Sequence, residues 1–196
     1  MDDIVKQALA KWPDVPDCYG WLGLDARGHW RMRDARTQQL GLAGDRIEHA
    51  ALRAFINRNY GHDPRGCWYF QNGPQRVYVN LEATPYIVRT DPALGLVLHN
   101  GVALGGIEAA YMTDEGRLVV QAGDVVGQLD DRDGGQLPAL LESGSGPVDD
   151  VTLMAWLDGA DVALTLRHGV QQIAIGRLSD AGLPAKFNFI RIPSCS

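Results

Sequence analysis

Cys67 lies a few positions after His62 and Asp63, and a thiol near an imidazole and a carboxylate is the raw material of a nucleophile. Thiolate catalysis requires the base to reach the sulfur and a third group to orient that base. Neighbours within one short loop rarely achieve this, and Cys67 opens an apolar strand run, so it reads as a half-buried structural thiol. Asp130, Asp131 and Asp133, followed by Gly134, have the spacing of a calcium loop. However, the first and twelfth ligand positions of an EF-hand would fall on Leu129 and Leu140, so the three carboxylates read as helix-capping groups with Arg132 beside them. Gly41 and Gly44 precede a helical pattern, yet no Lys-Ser/Thr follows as a phosphate loop requires, and the dinucleotide fingerprint is missing too. Paired cysteines and His-Glu-x-x-His are also missing, which leaves no zinc motif. Ser143, Ser145, Asp149 and Asp150 share a loop without a nucleophile-elbow pattern. The sequence thus offers no catalytic set, no metal-ligand set and no cofactor motif.

The aromatic residues carry more information. Four of the five tryptophans (Trp12, Trp21, Trp30 and Trp68) fall in the first 90 residues, with Tyr19, Tyr60, Tyr69, Tyr78 and Tyr86. Alternate residues of a strand face opposite ways, so Trp68 and Phe70 share one face and Tyr69 takes the other. Tyr78 is opposed to Val77 and Val79 in the same way. One small core cannot hold all these rings, so some are expected at an interface or in a pocket, where their polar tips find partners. Arg and amide side chains beside aromatic walls suit an anionic or planar small molecule. The expected ligand-binding set is Trp21, Asn57, Arg58, Trp68, Asn72, Arg76, Tyr78 and Arg89. The competing reading is that the polar members fix turns and helix ends; Asn72-Gly73 in particular is explained by a turn.

These residues must be positioned by helices and strands. Residues 3–12 read as a first helix stopped by Pro13. Residues 19–32 form a hairpin whose turn, 25–28, ends in Gly28. The clearest helical pattern is 45–59, with Asp45 as cap and Glu48 completing a capping box. Strands are predicted at 68–70, 76–81, 86–89 and 96–99, and a hairpin over 108–121 turns at Gly116. A short helix is predicted at 136–142 and a loop at 143–147. Strands are then expected at 151–157, 162–167 and 170–175, with a last one at 187–192.

Both halves therefore read as a hairpin, a helix and a run of antiparallel strands, and several landmarks recur at an offset of 88. Gly28 corresponds to Gly116, Asp45 to Asp133, Glu48 to Gln136 and Trp68 to Trp156. Pro138 fits this poorly, because a proline beyond the first helical turn removes a backbone bond. The expected fold class is α+β, with two similar lobes, each a helix on a curved antiparallel β-sheet. The expected boundaries are a helix and linker over 1–19, one lobe over 20–100 and a second over 101–196. A groove between such lobes would be a natural ligand site.

The chain has 196 residues, 45% hydrophobic and 21% charged, which is ordinary globular composition. A formal net charge of -6 argues against nucleic acid or anionic membranes as partners. Arg27, Arg31, Arg33 and Arg36 form a local basic run, read here as a solvated face. The start, Met1-Asp2-Asp3, lacks a secretory pattern, and no apolar run approaches the roughly 20 residues that span a bilayer. Three scattered cysteines do not make a disulfide framework, so a cytoplasmic location is expected.

The segments Gly20-Trp-Leu-Gly-Leu-Asp25, Gly28-His-Trp30, Phe55-Ile-Asn-Arg58, Trp68-Tyr-Phe70 and Arg76-Val-Tyr-Val79 resemble uncharacterised proteobacterial proteins of unknown function. The layout is similar to domain of unknown function 1285, whose members carry two similar α+β lobes. That resemblance implies two lobes and a regulatory role, with Arg58 as the charged residue that carries over. Three functions stay open. One is a non-enzymatic module binding a small ligand or regulatory partner. Another is a hydrolase-like enzyme using His62, His99 or the acidic loop. The third is an interaction protein, such as a homodimer, that buries its aromatics against a second copy.

Overall fold

In the computed structural model the chain is described over residues 1–144 and 146–195. It divides into two compact units, Met1–Pro85 with Pro184–Ser196, and Tyr86–Leu183. The first unit contains α1 (Asp3–Lys11), β1 (Cys18–Leu24), β2 (Trp30–Met32), α2 (Ala35–Gln39), β3 (Asp45–Arg46), α3 (Ala50–Arg58), β4 (Tyr60–His62), β5 (Trp68–Asn72) and β6 (Gln75–Leu81). Its six strands pair in the order β3-β2-β1-β6-β5-β4. The second unit contains β7 (Tyr86–Asp91), β8 (Gly95–Leu98), β9 (Ala109–Thr113), β10 (Leu118–Ala122) and β11 (Val125–Leu129). A 3-10 turn, Asp131–Gln136, then runs into α4 (Leu137–Leu140). Next come β12 (Leu141–Ser143), β13 (Gly146–Pro147), α5 (Asp150–Leu157), β14 (Leu164–His168) and β15 (Gln171–Leu178). Nine strands pair in the order β13-β12-β14-β15-β9-β10-β11-β7-β8. A last helix, α6 (Leu183–Phe187), crosses the boundary between the units.

The α+β class and the duplication are both present, and the strand registers display the repeat. Leu24 opposes Trp30 in β1/β2, and Met112 opposes Leu118 in β9/β10, an offset of 88 on both strands. Phe70 opposes Val77 in β5/β6, and Leu166 opposes Ile173 in β14/β15, an offset of 96. The two hairpins meet through a parallel pair in each unit: Gly23 beside Asn80, and Tyr111 beside Gly176. Pairing senses also match outward, β2 to β3 as β10 to β11, and β4 to β5 as β12 to β14. The hairpin turn is reproduced in detail. His29 N–H donates to an Asp25 carboxylate oxygen and Arg117 N–H to Thr113 Oγ1, each residue four after its acceptor.

Several expectations are corrected. The sheets are mixed, not antiparallel, because β1 and β6 lie side by side and run the same way, as do β9 with β15 and β7 with β11. Alternation along a strand says which face a residue takes, not which strand it will pair with. The boundary expected at residue 100 falls at 85, since Val88 of β7 pairs with Leu129 of β11, and 184–196 returns to the first unit. The helix expected from residue 45 starts at Ala50: Asp45 is in β3, Glu48 pairs with Arg46, and His49 is the cap. The second predicted helix is only α4, after the 3-10 turn, and Ser145 of the following loop lies outside the described residues. Residues 151–157 form a helix, so Trp156 does not match Trp68, whose counterpart in register is Leu164. The tail contributes one bridge, Ile190 beside Cys67, in place of a strand. No helix among the described residues is long and apolar enough to cross a membrane.

Candidate functional site

The first unit carries its helix on one face of the sheet. α3 sets Phe55 edge-on to Phe70 of β5, with ring centroids 5.4 Å apart. Beneath α3 lies a cavity of about 260 Å³, lined by Trp21, Cys18, Leu52, Phe55, Phe70 and Asn72 among others. Its walls are mainly apolar. Trp21 remains 44% exposed because β1 is irregular between Cys18 and Leu22, where Gly20 takes a left-handed φ of 79°. Burial pushes the Cys18 thiol above its usual value, so it presents a neutral S–H to the cavity.

On the opposite face Tyr78 is buried beneath Tyr19, whose ring stacks on it at 4.6 Å. The Tyr78 hydroxyl donates to Asp63 at 3.0 Å. Asp63 also accepts the Arg65 guanidinium and the backbone N–H of Cys67. Burial works to raise the Asp63 carboxyl, but these donors outweigh it and hold it below the ordinary carboxylate range. Burial and then the Asp63 charge push the Cys67 thiol up. His62 turns its Nδ1 to the Asp63 carbonyl at 3.1 Å, so the trio at 62, 63 and 67 builds structure and leaves the thiol protonated.

A second cavity, of about 300 Å³, involves Gly23, Asp25, Arg31, Arg33, Asn80 and Glu82. Asp25 accepts Arg31 Nε at 2.8 Å and His29 N–H at 2.7 Å, and Glu82 accepts Ala26 N–H at 3.0 Å. Burial would raise the Asp25 carboxyl, but the His29 N–H and Arg31 together lower it. The basic run read as a solvated face is therefore partly folded inward, with Arg31 and Arg33 half-buried.

The eight expected ligand residues do not converge. Trp21 and Asn72 line the apolar cavity. Asn57 accepts Trp30 Nε1 at 2.7 Å, and Arg58 pairs with Asp2 at 3.2 Å, which are structural tasks. Trp68 is buried against Tyr60, and Arg76 lies 4.8 Å over the Tyr69 ring beside buried Tyr78. Arg89 belongs to the second unit, 3.7 Å from Asp130. Asp130 caps the 3-10 turn and binds Arg132, while Asp133 accepts Thr90 N–H at 2.7 Å, so two of the acidic loop's carboxylates serve as caps and ties. Among the described residues no group of three or more His, Cys, Asp or Glu side chains is placed to hold a metal ion. Sequence reasoning missed Gly23, Arg33 and Asn80. The available signal was a glycine inside a strand without a turn to explain it.

The architecture is a duplicated α+β fold with mixed sheets, and the first sheet carries a cavity on each face. Residues 1–194 match the family DUF2944, described as "Protein of unknown function (DUF2946)", and the chain belongs to that family. No curated protein matches it. Among solved structures it is similar to a DUF1285 family protein from Silicibacter pomeroyi DSS-3, with TM-score 0.49 and 14% identity over 85% of each chain. It is also similar to a DUF1285 family protein from Shewanella baltica OS155, with TM-score 0.41 and 13% identity, covering 60% of this chain and 89% of the other.

Proposed function

We propose that the protein is a non-enzymatic binding module whose first unit takes a small, planar, largely apolar molecule into the cavity beneath α3. The observation that carries this reading is the cavity itself: about 260 Å³ of mainly apolar space bounded by Trp21, Phe55 and Phe70, with Asn72 as a polar group at its wall. Ligand sites are typically apolar concavities with a few polar groups that fix orientation. A flat ring would slide against the Trp21 indole and present one polar edge to Asn72. Occupancy would then couple to α3 and β1 and give a regulatory output. Three free thiols, with Cys67 buried, fit a reducing compartment such as the cytoplasm.

Thermal melting with planar aromatics such as indole and 2-naphthol tests the reading. A ligand of the native state raises the melting temperature, by about 2.7 kcal/mol of stability at one hundred times its dissociation constant. At least one compound is expected to stabilise the wild type and to lose its effect in Leu52→Trp, which fills the cavity. Failure of the whole panel to shift the melt, or equal shifts in both proteins, removes the proposal.

A further inference from the structure

On the sheet face away from α3, paired residues form a row across four strands: Arg46, Arg31, Gly23 and Asn80. Nothing in the backbone or packing demands a glycine at 23. A Cβ there would meet Asn80 O at 3.4 Å, Arg33 Cδ at 3.6 Å and Arg31 Cβ at 3.8 Å, all ordinary contacts. What the glycine does is leave a notch, which joins the cavity of about 300 Å³.

The second unit shows how the same place is treated when it is closed. The counterpart of Gly23 is Tyr111, and that of Asn80 is Gly176. The Tyr111 ring lies flat enough on Gly176 that a Cβ there would come within 3.0 Å of it. One repeat therefore fills the position with its own aromatic ring, and the other leaves it open.

The polar groups around the open notch indicate what could fill it. Both carboxylates are already engaged, Asp25 by Arg31 and the His29 N–H and Glu82 by the Ala26 N–H. Arg33 is not matched in this way. Its guanidinium reaches only carbonyls, Leu42 O at 3.3 Å and Gly20 O at 3.4 Å, and no carboxylate among the described residues pairs with it. Asn80 Oδ1 is buried without a hydrogen-bond partner, a condition that costs on the order of 1–3 kcal/mol unless a donor arrives. The cavity thus offers a cation lacking an anion and a ring-sized space, and its wall residue Asn80 carries an acceptor lacking a donor.

We propose that this notch binds a small planar hydroxy-carboxylate of about one ring, with its carboxylate on Arg33, its hydroxyl donating to Asn80 and its ring over Gly23. This site is independent of the apolar cavity under α3.

Calorimetric titration of the full chain with 4-hydroxybenzoate, and with 4-hydroxybenzamide as the uncharged control, tests it. Saturable binding of the acid is expected, with the amide and the Arg33→Gln variant each weakened by about tenfold or more, as loss of a charge-assisted pair implies. Gly23→Tyr, which supplies the ring from the chain, is expected to abolish binding. Leu52→Trp, in the other cavity, is expected to leave it unchanged. No saturable binding to the wild type at about 10 mM probe, or equal affinity in Arg33→Gln, overturns the proposal. Binding that survives Gly23→Tyr but is lost in Leu52→Trp also overturns it, by placing the molecule under α3. If Gly23→Tyr does not fold, Arg33→Gln decides.

Discussion

Asp63 collects the Tyr78 hydroxyl, the Arg65 guanidinium and the Cys67 N–H on a carboxylate whose side chain is only 5% exposed. Hydrogen bonds to a charged group are the stronger kind, and removing the acceptor strands several donors at once. Asp63→Ala is therefore expected to cost about 3 kcal/mol, read as a lower urea midpoint at unchanged slope. A midpoint equal to wild type would show that solvent replaces the carboxylate without loss. The same residue gives a pH dependence. Its folded value is depressed below 3.8, so its stabilisation is complete above that value and is lost as pH falls through the lower folded one. Asp25 acts in the same direction. Acid unfolding below about pH 4 should be blunted in Asp63→Asn relative to wild type, each measured against its own neutral-pH stability. At this scale the site was partly legible in the sequence. Trp21 and Asn72 were identified because aromatic density and an amide were visible, and they do line one cavity. Arg33 was not, because its inward turn depends on the loop at 40–44 folding over its stem: a Cβ on Gly44 would come within 2.8 Å of Arg33 Cγ. Asn80 was invisible for a related reason, since an unsatisfied acceptor exists only once its neighbours are placed.

Helix α3 positions the apolar cavity, and its N-terminus is held by an uncommon cap, His49 Nδ1 accepting Leu52 N–H at 3.2 Å. Aspartate is a better cap and adds a negative charge at the positive end of the helix. His49→Asp is expected to stabilise the protein by about 0.5–1 kcal/mol, seen as a higher melting temperature; a lower one would mean the imidazole does more than cap. The sequence pattern located this helix but placed its start five residues early, because Asp45 and Glu48 satisfy a capping box on paper. In the structure Asp45 is drawn into β3 by pairing with Met32, a long-range bond that local spacing does not report. α5 was misread for a different reason. Val151-Thr-Leu-Met-Ala-Trp-Leu157 is apolar except for Thr152, and periodicity alone does not separate a short apolar helix from a strand. The deciding feature was Asp149, whose side chain accepts Thr152 N–H at 2.7 Å and opens a helix. Asp149→Ala should accordingly lower the melting temperature.

The two repeats share strand order and register yet differ where the parallel strands meet, and this difference yields a test of the whole frame. If the halves are variations on one scaffold, then the ring of Tyr111 and the open space at Gly23 are alternative fillings of one position. Removing the ring should then convert the second unit to the condition of the first. Tyr111→Gly leaves Gly176 uncovered and creates a cavity in the sheet face, and the loss of a large side chain that is only partly buried costs about 2–3 kcal/mol. Such a cavity binds a molecule resembling the missing group, so p-cresol at millimolar concentration should restore part of the lost melting temperature in Tyr111→Gly and do so less in the wild type. A Tyr111→Gly protein that melts like the wild type would mean that the ring fills nothing. One that is destabilised but indifferent to p-cresol would mean that the strands close over the gap. Either outcome would detach the second unit from the first as a guide to the notch at Gly23. Rescue would support reading each unit through the other, with a side chain occupying in one the place that the other leaves for a ligand.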